Sequence, residues 1–255
     1  MKTVRLFKTI WRTCLLLAGA AALGGCRSKP PSQDAARSNS SNDSVFERVV
    51  EVAPEQAKRV KIYYKDAKGV SYGSLANLFE QMKAKDIKPK ALINGGMVDI
   101  DGKPVGLLIV DGNTIRGLNM HNGKENFSMG KHGVFAITKR GKALVFNPAE
   151  RRGGAFLRSL KYATQSGPLL VSHGKIVAGK DWNRLNSRSA VGVTKAGGVV
   201  FVQSASIGLH AFAEACRKRG MWDALFLDGG SYNCIAREPS EANFVQKYAG
   251  IISVE

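Results

Sequence analysis

What most constrains this chain is a rhythm of short apolar runs, each closed by glycine or by a turn-forming pair. Runs of strand character fall at 45–52, 60–64, 91–93, 105–110, 133–138, 143–146, 169–172, 190–194, 199–203, 224–227 and 251–254. Between them stand Asp101-Gly102, Asp111-Gly112, His173-Gly174 and Gly197-Gly198, pairs that reverse a chain tightly because one or both residues accept a left-handed backbone. Two stretches break the rhythm. Leu75, Leu78, Phe79 and Met82 recur at helical spacing behind Ser74 as N-cap, and Leu209, Phe212, Ala213 and Cys216 repeat the pattern before Gly220. The expected class is α+β: one β-rich domain, mainly antiparallel sheet, with a few packed helices. Each helix precedes a strand with a polar, glycine-rich tip, which places Asn94 and Asp228 at equivalent strand ends.

The chain of 255 residues has room for one good-sized core. Three parts are expected. Residues 1–25 carry a basic start (Lys2, Arg5, Lys8, Arg12), an apolar stretch over 13–23 and small residues before Cys26, the layout of a secretory signal. Small residues directly before a cysteine resemble a bacterial lipobox, which implies that Cys26 becomes the lipidated N-terminus and tethers the protein to a membrane. Arg27, where a retained inner-membrane lipoprotein often carries Asp, favours the periplasmic face of an outer membrane if the envelope has two. Residues 26–44 are rich in Pro, Ser and Asn and hold no large apolar residue, so they read as a flexible tether. The folded domain is expected over 45–255.

Charge narrows the partners. With the four basic residues of the leader removed from 38 Lys and Arg, 34 face 20 Asp and Glu, an excess that favours phosphorylated or acidic glycans and anionic head groups. Nucleic acid is disfavoured, because the basic residues are dispersed and no groove-reading motif organises them. Of the four cysteines, Cys216 and Cys234 remain in the domain, either as a bridge or as two packed thiols.

Four glycine-rich tips offer places where backbone approaches a ligand: Asn94-Gly95-Gly96-Met97, Gln165-Ser166-Gly167-Pro168, Arg188-Ser189-Ala190-Val191-Gly192 and Leu227-Asp228-Gly229-Gly230-Ser231. Strand alternation puts Ala224, Phe226 and Asp228 on one face and Leu225 and Leu227 on the other. Asp228 thus ends an apolar strand, where desolvation raises a carboxyl pKa toward the range useful for proton transfer; it can equally close the Gly-Gly turn. Arg188 has the planar fork that holds two phosphate oxygens. Asn94 can donate and accept, and the Gly95 and Gly96 N–H groups can form an anion nest, although Asn-Gly is also a common hairpin turn.

In order and spacing these segments, together with Lys103-Pro104-Val105-Gly106-Leu107, Asn126-Phe127 and Gly133-Val134-Phe135, resemble the phosphodiester glycosidase family of the uncovering enzyme, and especially its bacterial, exopolysaccharide-linked branch. The resemblance implies hydrolysis of a sugar-1-phosphodiester. It casts Asp228 as acid or base, Arg188 with the Gly95 and Gly96 backbone on the phosphate, and Asn94, Gln165 and Ser166 on the sugar, with Gly229, Gly230 and Ser231 beside them. The rival expectations are a glycan-binding protein without catalysis and a factor for polysaccharide export. Val98 and Ser128 stand where the branch usually has aromatic residues, and this supports the binding reading. Glycoside hydrolysis commonly uses two carboxyl groups; Asp99 and Asp101 are the candidates for the second. Cofactors are not firmly implied, though a divalent cation on Asp99, Asp101 or Asp228 is compatible with the sequence.

Overall fold

The computed structural model describes residues 45–121, 131–179, 184–245 and 247–255. The leader, the tether, Cys26, Asn126-Phe127 and Ser128 lie outside these residues. Residues 39–255 make up one compact unit that contains all the hydrophobic clusters described below.

In chain order the elements are β1 (Phe46–Val52), β2 (Val60–Tyr63), α1 (Leu75–Lys83), β3 (Ala91–Asn94), β4 (Leu108–Val110), β5 (Asn113–Arg116), β6 (Gly133–Thr138), β7 (Ala143–Phe146), α2 (Gly154–Arg158), β8 (Leu160–Ser166), β9 (Leu169–Ser172), β10 (Lys175–Ile176), β11 (Asn186–Thr194), β12 (Val199–Ile207), α3 (Leu209–Lys218), β13 (Met221–Phe226), β14 (Ile235–Ala236) and β15 (Ile251–Val254). They form three sheets, ordered β1-β12-β11-β13-β9-β10, β14-β3-β15-β2 and β5-β4-β8-β6-β7. Every strand pairing described is antiparallel. The α+β class expected from the sequence is the class observed.

Local chemistry explains the main features. Ser74 caps α1 by accepting from the Asn77 N–H at 3.1 Å, and the helix buries Leu75, Leu78, Phe79 and Met82 against β3 and β15. The β4–β5 and β9–β10 hairpins turn at Asp111-Gly112 (φ 48° and 82°) and His173-Gly174 (φ 51° and 75°), the paired left-handed geometry that matches strand twist. On β13 and just past it, Leu225 and Leu227 enter the central core between the sheets, while Ala224 and Phe226 pack under α3. Asp228 therefore prolongs the α3-facing side. Cys216 and Cys234 are buried free thiols in separate clusters.

One expectation needs correction. Asn94 and Asp228 do end equivalent helix-then-strand units, but β3 and β13 belong to different sheets. A side-chain hydrogen bond, not a shared ladder, brings the two ends together.

Candidate active site

The site is assembled from the ends of β13, β11, β3 and β8. Asp228 stands two residues past the end of β13, and its backbone carbonyl accepts two hydrogen bonds from buried side chains: Asn94 Nδ2 at 2.9 Å and Ser189 Oγ at 2.8 Å. Its carboxylate Oδ1 accepts from the Gly229 N–H at 2.9 Å. Burial raises the carboxyl to about 6, against a smaller lowering by that hydrogen bond. The Gly-Gly pair is required sterically. A Cβ on Gly229 would stand 2.8 Å from the Ser187 carbonyl oxygen, and Gly230 has φ 60°.

Arg188 lies one residue beyond the Ser189–Leu227 contact, in which the Leu227 N–H donates to the Ser189 carbonyl at 3.0 Å. It is 9% exposed. Its Nε donates to the Ile207 carbonyl at 2.9 Å and its Nη2 to the Arg184 carbonyl at 2.6 Å, and the guanidinium sits 5.6 Å from the centre of the Phe226 ring. The Asn233 amide, oriented so that both its atoms are satisfied, pairs with the Arg188 backbone at 3.3 and 3.2 Å. Burial, with a contribution from the Arg184 charge, lowers the Arg188 pKa. Among the described residues no carboxylate forms an ion pair with it. A cation in this state carries unused capacity for an anion.

The structure gives other expected site residues a different task. Asn94 is fully buried; its Oδ1 accepts from the Cys234 N–H at 3.2 Å while its Nδ2 holds Asp228. The anion nest at Gly95 and Gly96 is not formed, because the Gly95 N–H donates to the Gly250 carbonyl at 3.0 Å and the Gly96 N–H to Thr164 Oγ1 at 3.1 Å. These glycines permit close packing instead: an added Cβ would fall 2.3 Å from the Gly250 oxygen or the Gln165 oxygen, respectively. Asn94-Gly95-Gly96 thus touches strand ends or flanking loops of all three sheets. Gln165 is likewise spent internally. Its Oε1 accepts from the Leu107 and Asn119 N–H groups at 2.9 and 3.0 Å, and its Nε2 donates to the Asn119 carbonyl at 2.6 Å.

Ser166 is fully buried and, among the described residues, its Oγ has no hydrogen-bond partner; it lies next to the cis Gly167-Pro168 bond whose Pro168 carbonyl accepts from the Phe226 N–H. Ser231 is exposed, with its carbonyl accepting from Asn243 Nδ2 at 2.7 Å; among the described residues its hydroxyl forms no bond to Asp228. Asp99 and Asp101 build a hairpin turn: Asp99 Oδ1 accepts from the Asp101 and Lys103 N–H groups at 3.0 and 2.8 Å, and Asp101 faces Lys103 at 3.5 Å. Both are exposed and neither joins Asp228, so the second carboxyl expected there is not at the site. Among the described residues no three His, Cys, Asp or Glu side chains converge to hold a metal ion. Ser189 sits inside the Arg188 motif with no sequence signal of its own, and the fold shows that it grips the Asp228 main chain.

The model of the phosphodiester glycosidase family matches residues 88–244, a span that includes every one of these strand ends. The uncharacterized protein YigE of Escherichia coli (strain K12) is 32% identical over 178 residues, covering 68% of each chain. The chain belongs to the phosphodiester glycosidase family. Among solved structures, its fold is similar to that of the zebrafish N-acetylglucosamine-1-phosphodiester alpha-N-acetylglucosaminidase catalytic domain, auto-inhibited by its pro-peptide (TM-score 0.55, 18% identity, 78% of this chain and 73% of that one). It is also similar to a hypothetical protein from Synechocystis (TM-score 0.51, 15% identity, 80% of this chain and 58% of that one). In this family member the family match, the buried cation and the raised carboxyl all fall on the same strand ends.

Proposed function

We propose that the protein is an envelope lipoprotein, anchored through Cys26, that hydrolyses a sugar-1-phosphodiester in a phosphorylated glycan or related polymer. Family membership supports a hydrolase acting on glycan phosphodiesters. The observation that carries the finer reading is that two ionisable groups lie on neighbouring strand ends: Asp228, raised to about 6, and Arg188, buried on two carbonyls and the Phe226 ring with no ion pair among the described residues.

In this scheme the Arg188 guanidinium takes two non-bridging phosphate oxygens and stabilises the charge that grows on the leaving phosphate. Asp228 is the proton-transfer group, and Asn94 and Ser189 hold its main chain at the required place. A phosphate leaves readily as an anion, so a single carboxyl is consistent with the chemistry. Ser166 supplies the free hydroxyl for the sugar or phosphate.

Release of free sugar from UDP-N-acetylglucosamine and a panel of sugar-1-phosphodiesters tests this reading. Turnover with a titrating limb near pH 6 supports it, the slope of the limb telling acid from base. Tight glycan binding with no release from any substrate replaces it with the binding-protein reading, which Val98 favours. Radiolabelled palmitate incorporated by the parent and not by Cys26→Ala tests the anchor.

A further inference from the structure

The turn that follows Asp228 is fastened at almost every residue. The carbonyls of Gly230, Ser231 and Tyr232 accept in succession from Ser187 Oγ at 3.3 Å, Asn243 Nδ2 at 2.7 Å and the Tyr248 hydroxyl at 2.9 Å. The Tyr232 N–H donates back to the Gly229 carbonyl at 3.2 Å. The next residue, Asn233, pairs with the Arg188 backbone. Residues 229–233 therefore bridge the two reactive groups, with Asp228 at one end and Arg188 at the other.

Tyr232 is the one aromatic residue on this bridge. Its half-buried ring packs against the cluster of α1, β3 and β15 and meets Tyr248 edge to face, with centres 5.6 Å apart and planes at 90°. Such a contact takes up at most one face of the ring. Among the described residues the Tyr232 hydroxyl makes no hydrogen bond. Burial, with the negative charge of Asp228, raises the phenol above its ordinary pKa, so it stays neutral and serves as a donor, not as a nucleophile. The Arg188 fork points elsewhere, to the Ile207 and Arg184 carbonyls at the end of the first sheet. Asp228 thus has a cation toward one sheet and an aromatic ring toward the cluster of another.

We infer that Tyr232 is the platform for the sugar ring of the substrate: a pyranose lies on its open face, the phosphate goes to Arg188, and Asp228 reaches the oxygen between them. A pyranose presents an apolar face of C–H groups and a rim of hydroxyls, and a half-exposed phenol matches both. Because three successive carbonyls are tied, the ring is in place before the substrate arrives and little ordering cost falls on binding. The inference rests on the sugar-phosphodiester reading above and adds to it the residue that meets the sugar.

Sugar release by the parent, Tyr232→Ala and Tyr232→Phe, followed against substrate concentration across the same panel, tests the platform. Tyr232→Ala is expected to raise KM about tenfold with kcat within about threefold of the parent, and Tyr232→Phe, which keeps the face, to hold KM within about threefold. Inhibition by inorganic phosphate reports on the Arg188 side and is expected to be equal in all three proteins. An unchanged KM in Tyr232→Ala overturns the inference. So does a rise in KM accompanied by falls in kcat and in phosphate inhibition, which would assign the ring to holding the turn. If Tyr232→Ala melts below the assay temperature, Tyr232→Leu, which fills the space without a flat face, takes its place with the same expectations. A parent that releases no sugar defeats the hydrolase reading alone. Calorimetry with N-acetylglucosamine-1-phosphate then decides the platform: a Kd about tenfold weaker in Tyr232→Ala supports it, and an equal Kd, or no binding by the parent, overturns it.

Discussion

The buried amides and the buried ionisable groups at these strand ends are treated in opposite ways. Asn94 and Gln165 use both their oxygen and their nitrogen on the protein itself, whereas among the described residues Asp228 has one backbone donor and Arg188 has two carbonyls and no counter-charge. Saturated amides lock loops in place at little cost. Ionisable groups left short of partners are kept in a state that a charged ligand relieves. The difference separates framework from reactive groups more sharply than residue type does, since by sequence all four are polar residues at glycine-rich tips.

The largest effect that would sharpen this contrast is on turnover. Asp228→Asn is expected to reduce sugar release by about 10³-fold while the fold persists. It also carries a stability signature. With its pKa raised to about 6 in the folded protein, Asp228 binds its proton more tightly folded than unfolded, so stability is highest below the unfolded value near pH 4 and falls as pH rises to about 6. Asn escapes this loss. Above pH 7 the variant is expected to be more stable than the parent by on the order of 2 kcal/mol, read from urea unfolding at pH 4 and pH 8. A variant that is inactive and equally destabilised at both pH values would place Asp228 in the framework instead.

Arg188→Lys comes next, with sugar release expected to drop about 10²-fold because a point charge cannot reproduce the two-pronged hold. Unchanged turnover would make Arg188 a structural residue. Gly96→Ala is a framework change: its Cβ would meet the Gln165 oxygen at 2.3 Å, so a loss of about 2 kcal/mol is expected in urea unfolding. Asp99→Ala is the smallest. It removes two exposed turn hydrogen bonds, with an expected cost of about 0.5–1 kcal/mol and less than about a twofold change in turnover, as expected of a group that never meets substrate. A tenfold loss of activity would return Asp99 to the site.

The contrast also explains what could be read from the sequence. Both long helices, the Ser74 cap and the Asp-Gly and His-Gly hairpins were legible because period and turn chemistry are local. The strand β8 was seen only as a motif, since Thr164, Gln165 and Ser166 are polar and yet buried, which erases the alternation that marks a half-buried strand. The strand β5 is exposed along its whole length and signals itself only through its hairpin. The chemical prominence of Asp228 and Arg188 was visible from residue type and position. The inward commitment of Asn94, Gly95, Gly96 and Gln165 was not, because their partners, Cys234, Gly250, Thr164 and Asn119, are set by contacts far along the chain.

The convergence of Asn94-Gly95-Gly96 on all three sheets has a dynamic consequence. The Gly95 amide proton is held by the Gly250 carbonyl, which continues the β3–β15 ladder of its own sheet, whereas the Gly96 amide proton is held by the Thr164 hydroxyl on β8 of another sheet. The first therefore exchanges with solvent deuterium when β3 and β15 part, and the second when the two sheets part at this joint. The Gly96 protection factor should therefore follow separation of the layers, with Gly95 as the internal reference for opening of the β3–β15 ladder, and a Gly96 amide that exchanges faster than Gly95 becomes a gauge of how often the joint beside the Asp228 carbonyl opens.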